Sequence, residues 1–407
     1  MVNIAIMGHG VVGSGVVEVL CHNAESISKR AEDHINIKYI LDLREFPESP
    51  LADRFIKDFD IIANDPEIKI VVECMGGLNP AYDFVKRCLM SGKSVVTSNK
   101  ELIATKGQEL LAIAKKNNLN LLFEASVGGG IPILRPIIQC LAANEISEII
   151  GILNGTTNFI LTKMVKEGIS FDHALTMAQR LGYAERDPSA DIDGIDTCRK
   201  VAILASLTFG KHVKPELIST EGISQISLTD IAYAEKWGGV IKLIGRVQML
   251  DDGRVLPTVY PAFIPNYSQL SSVDDVFNAI LVRGNAIGDV MFYGRGAGKL
   301  PTASAVVADI VDCVKHISAR KYIYWDVAED DFVEDYKLSE CELFVRATVS
   351  DYKLALDDVN EQFNVVKTLT DGGEELAFIV KGTEGDLRES LEKVSSLDIK
   401  SVIHVIE

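Results

Sequence analysis

The sequence predicts an α/β protein made of a doubly wound parallel sheet, a second α+β domain and a C-terminal βαββαβ module of the ferredoxin-like kind. Three observations carry this. Short β-branched runs alternate with amphipathic stretches from Val2 to about Ala125. A glycine turn, Gly8-His9-Gly10-Val11-Val12-Gly13, directly follows the first run. From about Lys337 the patterns spell strand, helix, strand, strand, helix, strand.

The runs VNIAIM, INIKYILD, KIVVECM, SVVTS and NLLFEA read as strands of the first sheet, because parallel strands covered on both faces are near-continuous apolar runs. Pro80 to Ser91 and Glu101 to Asn117 read as helices between them, the first with proline in its opening turn, the second ending in an Asn-rich stop. After Val127-Gly128-Gly129-Gly130-Ile131-Pro132 the composition changes, and the chain up to Gly298 mixes helices with strands of antiparallel character. Leu300 to His316 is one apolar-striped helix, opened by Pro301-Thr302 and expected to pack back on the first sheet. The tail strands are CELFVRATV, NVVKTLT, ELAFIVKG and IKSVIHVIE, with helices at Asp351 to Gln362 and Gly385 to Ser396. The expected division is 1–132 for a dinucleotide-binding domain, with 299–330 returning to it, 133–298 for a catalytic and dimerisation domain, and 336–407 for the small module.

A chain of 407 residues exceeds the size at which a single core stops growing, so several domains are expected. The 58 acidic against 41 basic residues give a net charge of -17, which repels phosphate backbones and anionic lipid, so neither nucleic acid nor membrane is an expected partner. Seven scattered cysteines without a C-x-x-C pair read as reduced thiols. The opening run Val2 to Met7 lacks the basic start of a signal peptide, which makes the cytoplasm the expected location.

Gly8, Gly10 and Gly13 open a helix after a first strand, where backbone N–H groups, including those of Val11 and Val12, can meet a pyrophosphate at the positive helix end. Asp42, ending the second strand, is placed for adenosine ribose hydroxyls, although it lies beyond the usual spacing of about 20 residues because Asn23 to His34 reads as an insertion. Arg44 could instead meet a 2′-phosphate, so NAD and NADP both stand. Met75-Gly76-Gly77 and Thr97-Ser98-Asn99-Lys100 end further strands on the same crevice, though a capped helix start explains the second equally well.

Leu181 to Lys200 holds Glu185, Asp187, Asp191, Asp193 and Asp196, then gives way to an apolar helix. Asp196 and Lys200, one helical turn apart, share a face. Carboxylates suit a substrate ammonium, and a lysine suits a carbonyl oxygen gaining a proton. The same letters also fit a solvated turn and an ordinary surface pair.

The run Ala178-x-x-x-Gly182-Tyr183-Ala184-x-x-Asp187-Pro188-x-x-Asp191-Ile192-x-Gly194-x-Asp196-x-x-x-Lys200 resembles the signature of homoserine dehydrogenases at every defined position. Thr97 to Lys100, Glu124 to Pro132, Asn154-Gly155-Thr156-Thr157-Asn158 and Gly294 to Gly298 resemble the family too. The resemblance implies NAD(P)H-dependent reduction of L-aspartate 4-semialdehyde to L-homoserine, a step of threonine and methionine biosynthesis. It implies Lys200 as the acid–base group, Lys100 beside it, and Asp196 orienting Lys200 or the substrate. Glu185 and Asp191 become substrate-binding. Gly8, Gly10, Val11, Val12, Gly13, Asp42, Arg44, Gly76, Thr97, Ser98, Lys100, Gly182 and Gly298 become cofactor-binding. It also implies a monovalent cation, Na+ or K+, held by Glu124, Val127, Gly129 and Ile131, and a homodimer or higher homo-oligomer.

The tail departs from the family pattern. Its loop between first strand and first helix, Val349-Ser350-Asp351-Tyr352-Lys353, lacks the Pro-Gly turn of amino-acid-sensing modules, so threonine binding does not follow from the resemblance. Two other readings remain: an amine-oxidising amino-acid dehydrogenase on the same scaffold, and a nucleotide- or amino-acid-sensing regulator without turnover. The second has no use for Glu185, Asp196 and Lys200 together.

Overall fold

The β-branched runs pair as expected. In the computed structural model, which describes residues 1–319, 323–328 and 331–406, the first sheet comprises β1 (Val2–Met7), β2 (Ile35–Leu41), β3 (Phe55–Ile56), β4 (Ile68–Glu73), β5 (Ser94–Thr97) and β6 (Leu121–Leu122). Their order is β3-β2-β1-β4-β5-β6, parallel throughout. Ile4, Ile6, Ile70, Val71 and Val95 are fully buried. Helices α1 (Val11–His22), α2 (Ala24–Ala31), α3 (Phe59–Asn64), α4 (Ala81–Met90) and α5 (Lys100–Lys116) belong to this half. The insertion at Asn23 to His34 is mostly α2, which buries Ile27 and Ala31. The NLLFEA run pairs only at Leu121 and Leu122, because the chain then turns through a short 3-10 helix at Glu124–Ser126. Strand order reverses between β1 and β4, and ligands in such sheets bind beyond the carboxyl ends at that point.

The middle of the chain supplies β7 (Ile146–Ile152), α6 (Gly155–Glu167), α7 (Phe171–Arg180), α8 (Ser189–Ile192), α9 (Ile195–Phe209), β8 (Ser219–Thr220), α10 (Leu228–Trp237), β9 (Gly239–Met249), β10 (Val255–Pro265), β11 (Phe277–Gly284) and β12 (Gly288–Arg295). Apart from β8, these strands pair antiparallel. Helix α9 lies between this sheet and α5, burying Val201, Ala202, Ile203 and Ala205. Helix α11 (Lys299–Lys315) then returns to the first half, packing on α1, β4 and β5 through an apolar stripe that includes Ala303, Val306 and Ile310.

The tail forms β13 (Glu340–Thr348), α12 (Tyr352–Gln362), β14 (Val365–Thr368), β15 (Glu375–Thr383), α13 (Glu384–Lys393) and β16 (Asp398–Val405). These strands are ordered β16-β13-β15-β14, the ferredoxin-like arrangement. The module is not a bead on a linker. Its last strand pairs with β10 at Ala262–His404 and Phe263–Val405, which makes one continuous sheet with the strands of the middle segment. Ile403 and Val405 join the main core, while Leu343, Val345, Phe378 and Leu387 form a core of the module's own. In the loop that could hold an effector, the Asp351 carboxylate instead accepts the Lys353 and Leu354 N–H groups and caps α12. No helix among the described residues is long and apolar enough to cross a membrane.

Candidate active site

Two cavities flank the N-terminus of α1. One, of about 530 Å3, is lined by Gly8, Gly10, Asp42, Arg44, Lys57 and Met75, among others. The other, of about 620 Å3, brings Val11, Val12 and Ser98 together with Lys100, Asp196 and Lys200. The helix end between them has no side-chain cap, since Gly10 occupies the N-cap position. Its first N–H groups are therefore available to an anion.

The glycines are there for space. Gly8 has φ +93°, a left-handed value, and a Cβ on Gly13 would lie 1.9 Å from the Gly8 carbonyl oxygen. The turn can close only with hydrogen at both positions. A carboxylate behind it was not picked out from sequence: buried Glu73 accepts the N–H groups of Met75 (2.7 Å) and Gly76 (3.2 Å) and the Thr97 hydroxyl. It ties the ends of β4 and β5 into one shelf, and burial raises its pKa. Thr97 is held from behind: its side chain is fully buried, with its hydroxyl donating to Glu73 and accepting from the Asn99 N–H (2.9 Å). Ser98 lines the larger cavity, and Gly76, at φ +78°, sits in the loop after β4.

Asp42 is also more occupied than its position suggested. It accepts the His9 N–H (2.8 Å), the Arg44 N–H (3.0 Å) and both arms of the Arg44 guanidinium (3.0 and 2.9 Å). Four donors fill the acceptor sites of one carboxylate. The Arg44 hydrogen bonds hold its carboxyl well below the usual range despite partial burial.

The floor of the larger cavity is an ionic bridge. Asp196 Oδ1 lies 2.6 Å from Lys100 Nζ, and Asp196 Oδ2 lies 2.7 Å from Lys200 Nζ. Lys200 also donates to the Leu153 carbonyl at 2.7 Å. This excludes the ordinary surface pair, because Lys200 and Asp196 are only 8% and 7% exposed. Burial pushes Asp196 upward, but the two ammonium groups outweigh it and hold the carboxyl well below the usual carboxylate range. Lys100 is raised by the Asp196 charge. Lys200 moves the other way: burial lowers it, Asp196 opposes this, and the Lys100 charge lowers it again. The two lysines thus shift in opposite directions.

Two further contacts hold the bridge in place. Arg199 donates to Glu101 at 2.8 Å, which pins α9 to α5 next to both lysines. Asn154 caps α6 through the Thr157 N–H (2.8 Å) and donates its amide to Asp191 (2.7 Å) and Asp196 (3.0 Å). The capped helix start and the polar site are therefore one feature. Burial raises Asp191, against the Asn154 hydrogen bond. Asp191, Glu185, Gly182 and Gly298 all line the same cavity, whereas Asp193 is exposed and outside it.

For the cation, the carbonyls of Val127, Gly129 and Ile131 accept no hydrogen bond from other described residues. Buried Glu124 is mostly spent as a cap. Oε1 accepts the Ile133 and Leu134 N–H groups (2.6 and 2.8 Å), and Oε2 accepts the Arg135 N–H (2.8 Å). The Arg135 Nε stands 3.4 Å from Oε2 without a hydrogen bond, so one acceptor site remains. The donor set is all oxygen and fits a hard cation.

An open parallel sheet with an uncapped glycine turn, whose own Lys100 meets Lys200 of the second half through Asp196, is the arrangement of a nicotinamide-dependent dehydrogenase. Comparison narrows this. A family profile described as "Homoserine dehydrogenase, NAD binding domain" matches residues 8–124, and one described as "Homoserine dehydrogenase" matches residues 132–311. A homoserine dehydrogenase of Synechocystis sp. is 40% identical, covering 100% of this chain and 99% of its own. The crystal structure of a homoserine dehydrogenase from Thiobacillus denitrificans superposes with a TM-score of 0.93 at 34% identity, covering 100% of this chain and 98% of that one. A hyperthermophilic archaeal homoserine dehydrogenase in complex with NADPH superposes with a TM-score of 0.65 at 31% identity, covering 76% and 97%. The chain belongs to the homoserine dehydrogenases, the NAD(P)-dependent oxidoreductases of amino-acid biosynthesis that reduce L-aspartate 4-semialdehyde to L-homoserine.

Proposed function

We propose that Lys200 is the proton donor of this reduction, Lys100 the fixed positive charge beside it, and Asp196 the positioning carboxylate between them. The supporting observation is the Lys100–Asp196–Lys200 bridge on the floor of the cavity that also contains Val11 and Val12. When bound, the nicotinamide supplies the hydride. As the aldehyde oxygen takes up the electron pair, Lys200 Nζ releases a proton to it. Lys100 stabilises the developing alkoxide, where a preorganised charge is worth most. Asp196 keeps both ammonium groups aimed. Glu185 and Asp191 receive the substrate ammonium.

The cofactor we propose is NADP. Every acceptor site of Asp42 is taken by His9 and Arg44, so the ribose hydroxyls of NAD find no free carboxylate there. Arg44, 61% exposed, and Lys57 line the same cavity and suit a 2′-phosphate. The N-terminus of α1, with Gly8, Gly10 and Gly13, takes the pyrophosphate, while Gly76, Ser98, Gly182 and Gly298 border its path. Na+ or K+ is held by the spare Glu124 site and the carbonyls of Val127, Gly129 and Ile131. We also propose the division 1–132 with 299–330, 133–298 and 336–407, of which 320–322, 329–330 and 407 lie outside the described residues. A homodimer or higher oligomer in the cytoplasm completes the reading; the free strand β12 exposes Met291 and Tyr293 to such a partner.

The test is initial-rate kinetics on the purified chain: NADPH oxidation with L-aspartate 4-semialdehyde, and homoserine oxidation with NADP against NAD, with and without K+ or Na+. Semialdehyde-dependent NADPH oxidation is expected. Reduction of NADP or NAD by aspartate instead, with release of ammonia, would replace this reading with the amine-oxidising one.

A further inference from the structure

A third cavity, of about 260 Å3, lies far from the lysines, where the tail module meets the catalytic sheet. One wall is β9 and β10, with Arg246 and Tyr260. The other carries Cys341 from β13, Glu384 from the start of α13 and His404 from β16. The pairing explains the convergence. His404 lies opposite Leu343 across the β13–β16 ladder, so Cys341, two residues before Leu343, projects on the same face. Helix α13 covers that face, and its first residue is Glu384.

Cys341, Glu384 and His404 each offer a ligand atom, all within 4.8 Å of one another. His404 Nε2 is 3.2 Å from Glu384 Oε2. Glu384 Oε1 is turned away and held by Arg388 Nε at 2.8 Å, which fixes the carboxylate with its second oxygen toward the imidazole. His404 is 4% exposed; its Nε2 faces Glu384 as an ion pair without hydrogen-bond alignment, and its Nδ1 has no hydrogen-bond partner among the described residues. Tyr260 stacks on the ring at 3.8 Å and holds its plane without offering it a donor or acceptor. A buried imidazole with an unsatisfied nitrogen, in a cavity beside a thiol and a carboxylate, is a site short of one central atom.

We propose that Cys341, Glu384 and His404 bind one divalent ion of the zinc class, with water from the cavity as the fourth ligand. Sulfur, imidazole and carboxylate together select a borderline-soft ion over magnesium or calcium. Tetrahedral ligands at zinc bond lengths stand about 3.5 Å apart, so no pair of donors, at most 4.8 Å apart, need close by more than about 1.3 Å. The three come from two strands and a helix start, so the ion stiffens the edge of the module that is fused to the catalytic sheet.

The test uses the full chain, reduced and freed of metal by chelation. Zinc is titrated in competition with a chromophoric chelator, and cobalt(II) serves as a spectroscopic probe. One equivalent per chain is expected, with a thiolate-to-cobalt charge-transfer band that is lost in Cys341→Ser and kept in Cys140→Ser, whose thiol is exposed elsewhere. Cys341 is only partly buried, so its serine variant should fold, which retained NADPH-dependent activity would verify; Glu384→Gln gives an independent loss of zinc affinity. No stoichiometric zinc in the wild type, or a cobalt band untouched by Cys341→Ser, overturns the site.

Discussion

Asp196 Oδ2 lies 2.7 Å from Lys200 Nζ, one helical turn away, and both side chains are almost wholly out of water. On an exposed helix such a pair contributes about 0.3–0.5 kcal/mol. Here the desolvation of two charges can exceed their attraction, and removing one partner costs about 3–5 kcal/mol by stranding the other.

Lys200→Ala should lower turnover by roughly 10^2 to 10^4, the usual worth of a positioned acid–base group. Affinity for NADPH, measured by calorimetry, should hardly change, because the helix end proposed to meet the phosphates is elsewhere. A matching loss of both quantities counts against the assignment.

The pH profile carries a sign. On the proposed roles, homoserine oxidation requires neutral Lys200, whose pKa burial lowers from 10.5. The rate should therefore rise with pH through a value below 10.5, where an unperturbed lysine would titrate. Asp196 opposes that lowering, so in Asp196→Asn the rising limb should move to still lower pH. A limb that stays put or moves up would show that another group titrates.

Arg44→Ala removes the guanidinium and frees Asp42. The KM for NADPH should rise about 10- to 100-fold, as for loss of a charge-assisted contact of roughly 1.5–3 kcal/mol. The KM for NADH should hold or fall, since the released carboxylate can accept ribose hydroxyls. If both rise together, Arg44 serves the fold rather than the choice of cofactor.

Gly13→Ala places a methyl group 1.9 Å from the Gly8 carbonyl oxygen, among backbone atoms that cannot yield cheaply. Overpacking of this kind costs about 1–3 kcal/mol. Thermal unfolding should shift down and NADPH binding should be lost together, because the same turn serves both. A variant with wild-type stability and affinity would mean that the turn closes differently.

The first sheet was legible in the sequence because each of its strands is a local apolar run and its helices fall between them. The glycine turn, Asp196 and Lys200 stood out for the same reason: their spacing is a property of neighbouring letters. The first sheet's last strand was overread, as NLLFEA keeps its apolar letters past Leu122 while the backbone turns to place Glu124 as a cap. Thr97 read as a cofactor contact because a strand end faces the crevice; the hold of Glu73 on its hydroxyl comes from another strand and left no local signal.

What the sequence by itself determined was therefore the periodic elements, the order in which they come, and the lysine and carboxylate brought together by one helical turn. Tertiary structure alone decided that Lys100 reaches the other oxygen of Asp196, that the His9 N–H reaches Asp42, and that the tail continues the middle sheet through Ala262 and His404. Those outcomes depend on contacts between segments far apart in the chain. The free energy of burying and pairing a charge or a strand edge resides in the partner, and local spacing carries no record of which partner arrives.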